Sequence, residues 1–112
     1  MLKKKDAIPG AVIVFSRSPL VSILPVFGKN TVVQIYGADT PGAALDSLDG
    51  NGKGIFVKQN DVATVLIKPK KYLDGINCIC LSVYGKKAYF YWADVYHNAT
   101  LVKSGSGTTQ EI

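Results

Sequence analysis

Apolar positions in this chain fall in short runs, several with strict alternation, and glycine, proline, Asn or Asp separates one run from the next. Ala11 to Ser16 follows a Pro9-Gly10 turn signal and contains Val12-Ile13-Val14-Phe15, the mark of a buried strand. Thr31 to Tyr36 places Val33 and Ile35 on one face and Val32 and Gln34 on the other. Gly54 to Lys58 predicts a further strand. Val62 to Lys68 predicts the next, with Ala63, Val65 and Ile67 facing one way and Pro69 ending it. Ile76 to Tyr84 sets Ile79, Leu81 and Val83 opposite Cys78 and Cys80. Gly85-Lys86 predicts a hairpin turn. Lys87 to Ala93 returns with Tyr89 and Tyr91 on one face and Phe90 and Trp92 on the other. Asp94 to Asn98 reads as a turn or a single 3₁₀ turn, and Ala99 to Lys103 as a last short strand.

Helix is predicted at one place only. In Thr40 to Leu48, Thr40 can cap and Pro41 suits the first helical position. Asp49-Gly50-Asn51-Gly52-Lys53-Gly54 then forms a glycine-rich loop. Leu20 to Phe27 is apolar, but Pro25 keeps it out of a central strand, so it is expected to be a long loop over one end of the core. Residues 1–8 are expected to be a flexible basic arm, 9–103 a single domain and 104–112 a polar tail.

Strands this short, spaced by turns, predict an all-β fold: a small antiparallel barrel with one short helix and a long loop insertion. Pro9-Gly10-Ala11-Val12-Ile13-Val14 at the start, and the meander from Val62 through Val102 with its Ala93-Asp94-Val95-Tyr96 element, resemble the SH3-like small barrels, including the KOW and Tudor types. The likeness covers about half the chain and departs at residues 28–57, which exceed what a minimal barrel needs. It implies a binding module for RNA, DNA or a protein segment; fold alone does not choose among them.

Composition sharpens this in two ways. The formal charge is +5, and residues 58–103 hold seven lysines against Asp61, Asp74 and Asp94, so the basic character lies in Lys3-Lys4-Lys5 and the second half. That asymmetry suits an anionic partner. Cys78 and Cys80, two apart on one strand, cannot pair comfortably with each other and are expected to be reduced, packed thiols of a cytoplasmic protein. The run from Ala11 to Phe27 is broken by Arg17, Pro19 and Pro25, so no membrane span is expected.

Several chemistries fail on spacing. Laid on an EF-hand, the glycine loop has Ser47 at the first position and Lys58 at the twelfth, where calcium wants a bidentate Glu. Phosphate-loop spacing is absent around Gly52-Lys53, and Gly54 stands where Ser or Thr is needed. His97 is the sole histidine, so neither a zinc set nor a catalytic triad assembles. His97, Tyr96 and Asp94 are expected to bond locally at a turn. No enzyme activity, cofactor or metal is expected.

The constellation that remains is lysine interleaved with tyrosine: Lys68, Lys70, Lys71 and Tyr72 on one strand end, Lys86, Lys87, Tyr89 and Tyr91 on another. Lysines suit phosphates and aromatic faces suit unstacked bases, which predicts DNA or RNA binding with the lysines gathered at a loop end. With Arg17 the only arginine, contact should be to the backbone rather than base-specific. The competing reading makes the tyrosines structural and the lysines guards of sheet edges. An alternative function is a protein-interaction module, a phage or bacterial accessory protein docking on a larger machine through Leu20, Ile23, Leu24 and Phe27.

Overall fold

A computed structural model describes residues 2–16, 35–41, 55–72 and 75–107. Among the described residues seven antiparallel strands form one curled half-barrel, with a single short α-helix. The strands are β1 (Val12–Phe15), β2 (Ile35–Ala38), β3 (Ile55–Val57), β4 (Val62–Lys71), β5 (Asn77–Val83), β6 (Lys86–Tyr91) and β7 (Ala99–Lys103), in the order β3-β2-β6-β5-β4-β1-β7. The all-β expectation holds; the alternation read from Val62 to Tyr91 is kept in β5, β6 and the first part of β4, but the register shift after Val65 turns Ile67 to the Cys80 face, away from Ala63 and Val65 with which it was expected.

The inner face of the sheet makes the main core. Ile13, Phe15, Val65, Ile79, Leu81 and Phe90 are all buried there, and the rings of Phe15 and Phe90 meet at 6.0 Å. Fully burying side chains of this size is worth roughly 1.5–3 kcal/mol each. The β5–β6 hairpin turns at Tyr84-Gly85, one residue earlier than the sequence suggested. Both residues have positive φ (54° and 73°), as the favoured two-residue hairpin turn requires.

Three elements differ from expectation. β4 does not end at Pro69 but runs on to Lys71; register shifts between Val65 and Ile67 and between Ile67 and Lys70 accommodate a proline that a regular ladder would exclude. The segment after β6 is an α-helix, α1 (Trp92–Asn98), rather than a turn. It buries Val95, and the Asn98 side-chain amide donates to the Asp94 carbonyl at 2.8 Å. Finally, from Leu2 onward the N-terminal residues are not a free arm. Leu2 is 1% exposed, its N–H donates to the Tyr96 carbonyl at 3.1 Å, and Lys4–Asp6 makes a single 3₁₀ turn. The cause is the pair of apolar residues Leu2 and Ala7 flanking the lysines, which sink into the core while Lys3, Lys4 and Lys5 stay exposed. Gly107 likewise donates to the Pro9 carbonyl at 3.0 Å, so the start of the expected tail lies against the Pro9-Gly10 turn.

The predicted helix at 40–48, the glycine loop at 49–54 and the apolar segment at 20–27 lie outside the described residues, apart from Thr40 and Pro41.

Candidate nucleic-acid interface

Paired residues on neighbouring strands share a face, so the register maps the outer face of the sheet. One row runs Lys70, Cys78, Tyr91; the next runs Ile67, Cys80, Tyr89, Ala38; a third runs Thr64, Ser82, Lys87. The outer face therefore carries a lysine in each end row and a tyrosine between them. Tyr72, just past β4, adds a second ring: its N–H donates to the Ile76 carbonyl at 2.9 Å, and its ring meets Tyr89 edge-on at 6.0 Å.

Each lysine of this group lies over a ring. Lys70 Nζ is 5.1 Å from the Tyr72 centroid, and Lys87 Nζ is 5.5 Å from that of Tyr89. Such contacts at exposed sites are worth about 0.5–1 kcal/mol, weak enough for a phosphate to draw the ammonium away. The result is a chain of contacts, Lys70–Tyr72–Tyr89–Lys87, across three strands. The rows of the two lysines are four residues apart along β5, about 13 Å at strand spacing.

This corrects the expectation that the lysines gather at one loop end. β4 and β6 place their lysines at opposite ends of β5, because Lys70 pairs with Cys78 at its start and Lys87 with Ser82 near its finish. Lys68, Lys71 and Lys86 are exposed but stand apart from the quartet. Lys68 falls inside a register shift, Lys71 pairs with Asn77, and Lys86 pairs with the core residue Val83. Tyr91 is half-buried in the row of Lys70. It lines a shallow pocket of about 190 Å³ with Gly75, Ile76, Asn77, Trp92 and Ala93.

The outer face is packed beneath its tyrosines. Tyr36, Ala38 and Cys78 form a second, smaller cluster, with Tyr72 and Ile76 against it, and Cys78 Sγ lies 3.6 Å from the Pro41 carbonyl oxygen. Cys78 and Cys80 are both buried and neither is in a disulfide, in line with the sequence reading. Burial pushes the Cys80 thiol up, against the pull of Lys87 and of a hydrogen bond with Tyr89, so it is protonated and a poor nucleophile at neutral pH. The Tyr72 hydroxyl is enclosed without a hydrogen-bond partner. Its pKa is pushed up to about 12, by burial first and then by the neighbouring Tyr89, Cys80 and Cys78.

The His97 ring contacts Tyr96 at 4.9 Å, and Nδ1 is buried without a partner instead of joining the expected local hydrogen bonds. Burial raises the Asp94 carboxyl, opposed by the charge of His97. Among the described residues no three His, Cys, Asp or Glu side chains group as metal ligands, and no helix is long and apolar enough to cross a membrane.

Two contributors escaped the sequence reading. Asn77 and Trp92 come together with Tyr91 at the pocket because β6 stops at Tyr91 and α1 turns the chain back toward the start of β5. The Tyr36–Phe56 ring pair, at 5.2 Å, extends the aromatic character toward β3. The protein-docking residues Leu20, Ile23, Leu24 and Phe27 lie outside the described residues. Comparison with known protein families, with curated proteins and with solved structures gives no match to this chain.

Proposed function

We propose that this domain is a non-enzymatic nucleic-acid-binding module of the cytoplasm that holds a phosphate backbone on the outer face of its sheet. The run Lys70–Tyr72–Tyr89–Lys87 carries the reading, since it joins two exposed cations through two aromatic rings on one continuous surface. Lys70 and Lys87 take phosphates, Lys68, Lys71 and Lys86 add charge at the margins, and Tyr72, Tyr89 and Tyr91 offer rings to bases. The fold supports the resemblance to SH3-like barrels: strands β7-β1-β4-β5-β6 are contiguous, a helix precedes the last strand, and β2 and β3 add to the β6 side as an insertion would. Two buried cysteines without a disulfide fit a reducing compartment.

The test is fluorescence anisotropy of labelled DNA and RNA oligonucleotides over a salt series. With about four lysines engaged, log affinity falls against log salt with a slope of about −3 to −4. A flat salt response, or no binding at low salt, defeats the proposal. A partner captured from nuclease-treated lysate and lost with Leu24→Ala and Phe27→Ala would favour protein docking instead.

A further inference from the structure

The pocket beside Tyr91 is independent of the lysine-tyrosine contacts just described. Its walls are two half-buried aromatic side chains, Tyr91 and Trp92, with Ile76 and the small residues Gly75 and Ala93, and its one side-chain amide comes from exposed Asn77. About 190 Å³ accommodates one planar ring system, and the pocket is too small and open for a folded segment. An aromatic wall with a single amide suits the rim of a nucleobase, since the amide both donates and accepts.

Charge places the pocket in the same binding path. Tyr91 shares its row and face with Lys70 across Cys78, while Asn77 pairs with Lys71 on the opposite face, so at this end of β5 one exposed lysine stands on each side of the sheet, two strands or less from the pocket wall. An aromatic slot flanked by cations fits a ring that carries negative charge on either side of it, which is a nucleotide within a strand. A paired base is held in its stack and cannot enter; an unpaired one can.

We propose that this pocket receives one unpaired nucleobase of a single-stranded nucleic acid, stacked against Tyr91 and Trp92 with its edge on Asn77, while Lys70 and Lys71 hold the adjoining phosphates. The inference rests on the nucleic-acid reading of the outer face and adds to it a preference for single strands over duplex.

Trp92 is the only tryptophan, so intrinsic tryptophan emission reports this pocket directly. The probes are dT and rU homopolymers of about 15 nucleotides, longer than one small-domain site, and a mixed duplex of equal length. Anisotropy of labelled copies measures binding, and Trp92 emission with unlabelled copies measures pocket occupancy. The expected result is that single strands change Trp92 emission with the same midpoint as anisotropy, whereas duplex leaves it unchanged. Asn77→Leu, at an exposed position, is expected to weaken single-strand binding roughly fivefold and leave duplex binding alone. A response to both dT and rU assigns recognition to features the two share; a response to one alone adds a requirement for its sugar or for the 5-position of its base, and either supports the pocket. Binding without an emission change, an equal change with duplex, or an Asn77→Leu variant that binds like wild type overturns the pocket and leaves the lysine-tyrosine face standing. Absence of binding to every probe at low salt overturns both.

Discussion

The tip of the Phe90 ring fills the space beside Gly37. The two residues pair directly between β2 and β6, and a Cβ built on Gly37 would fall 2.3 Å from Phe90 Cζ. The ring that anchors the inner core thus occupies the space of a side chain missing from the neighbouring strand. Among the described strands β2 and β3 join the sheet through β6, so this contact helps to fix how those two strands meet the body.

Gly37→Ala is therefore expected to destabilise the fold by about 1–3 kcal/mol, the usual cost of overpacking a close-packed site. Urea denaturation would register it as a lower midpoint at unchanged slope. Phe90→Leu gives the ring position back some room, so the double variant should lose less than the two single losses added together. Strict additivity would mean that the two residues do not share the space.

A second contact closes the opposite end of the sheet. The Tyr84 hydroxyl donates to the Asp61 carboxylate, which also accepts the Lys58 N–H at 2.7 Å. One carboxylate thereby ties the β5–β6 hairpin to the β3–β4 turn. Tyr84→Phe removes one of these bonds and should cost roughly 0.5–1 kcal/mol, at the low end because the site is exposed. Asp61→Ala removes both and should cost more. Equal losses in the two variants would show that the backbone bond contributes nothing.

The sequence made much of this legible, and where it fell short the reasons are physical. Alternation located β4, β5 and β6, and the β-branched run after Pro9-Gly10 located β1; in β5 the alternation is of residue type rather than burial, because Cys78 and Cys80 are as buried as Ile79 and Leu81. α1 was missed because it has only seven residues and buries Val95 alone, too short a span for a helical period to rise above the strand-like composition of Trp92, Val95 and Tyr96. Pro69 misled because a bulge, invisible in local sequence, removes the demand for its N–H. Within the candidate site the residue types were readable, but their arrangement was not. Whether Lys70 and Lys87 share an end or span the face depends on register, which only the folded sheet fixes.

The enclosed Tyr72 hydroxyl predicts a pH effect with a definite sign. Its pKa stands raised to about 12 in the folded chain against about 10 when unfolded, so the native state holds this proton more tightly. Its contribution to stability is complete below pH 10 and is lost as pH climbs from 10 towards 12. Tyr72→Phe should flatten the fall in stability over that window and remove one phenol ionising near pH 12 from an absorbance titration. Because the hydroxyl has no hydrogen-bond partner, the same variant should be as stable as wild type at pH 7, or more so. A large loss at pH 7 would show that the hydroxyl is held by a bond after all.

Position, as well as number, of lysines should govern the salt response. Lys70 and Lys87 each hold an ammonium over a ring on the outer face, whereas Lys5 sits exposed on the 3₁₀ turn near the N-terminus. Each phosphate contact contributes about 0.7–0.9 to the slope of log affinity against log salt. Lys70→Ala and Lys87→Ala should each lower that slope by about this amount, and together by about twice as much, while Lys5→Ala leaves it where it was. All three variants change the net charge equally, so a general attraction of a basic protein for a polyanion would shift them alike. Equal slopes among the three would place the binding energy in overall charge and strip the Lys70–Tyr72–Tyr89–Lys87 line of its role. Separation of Lys5 from the other two ties recognition to that line, because only a lysine that reaches a phosphate releases the counterion condensed there.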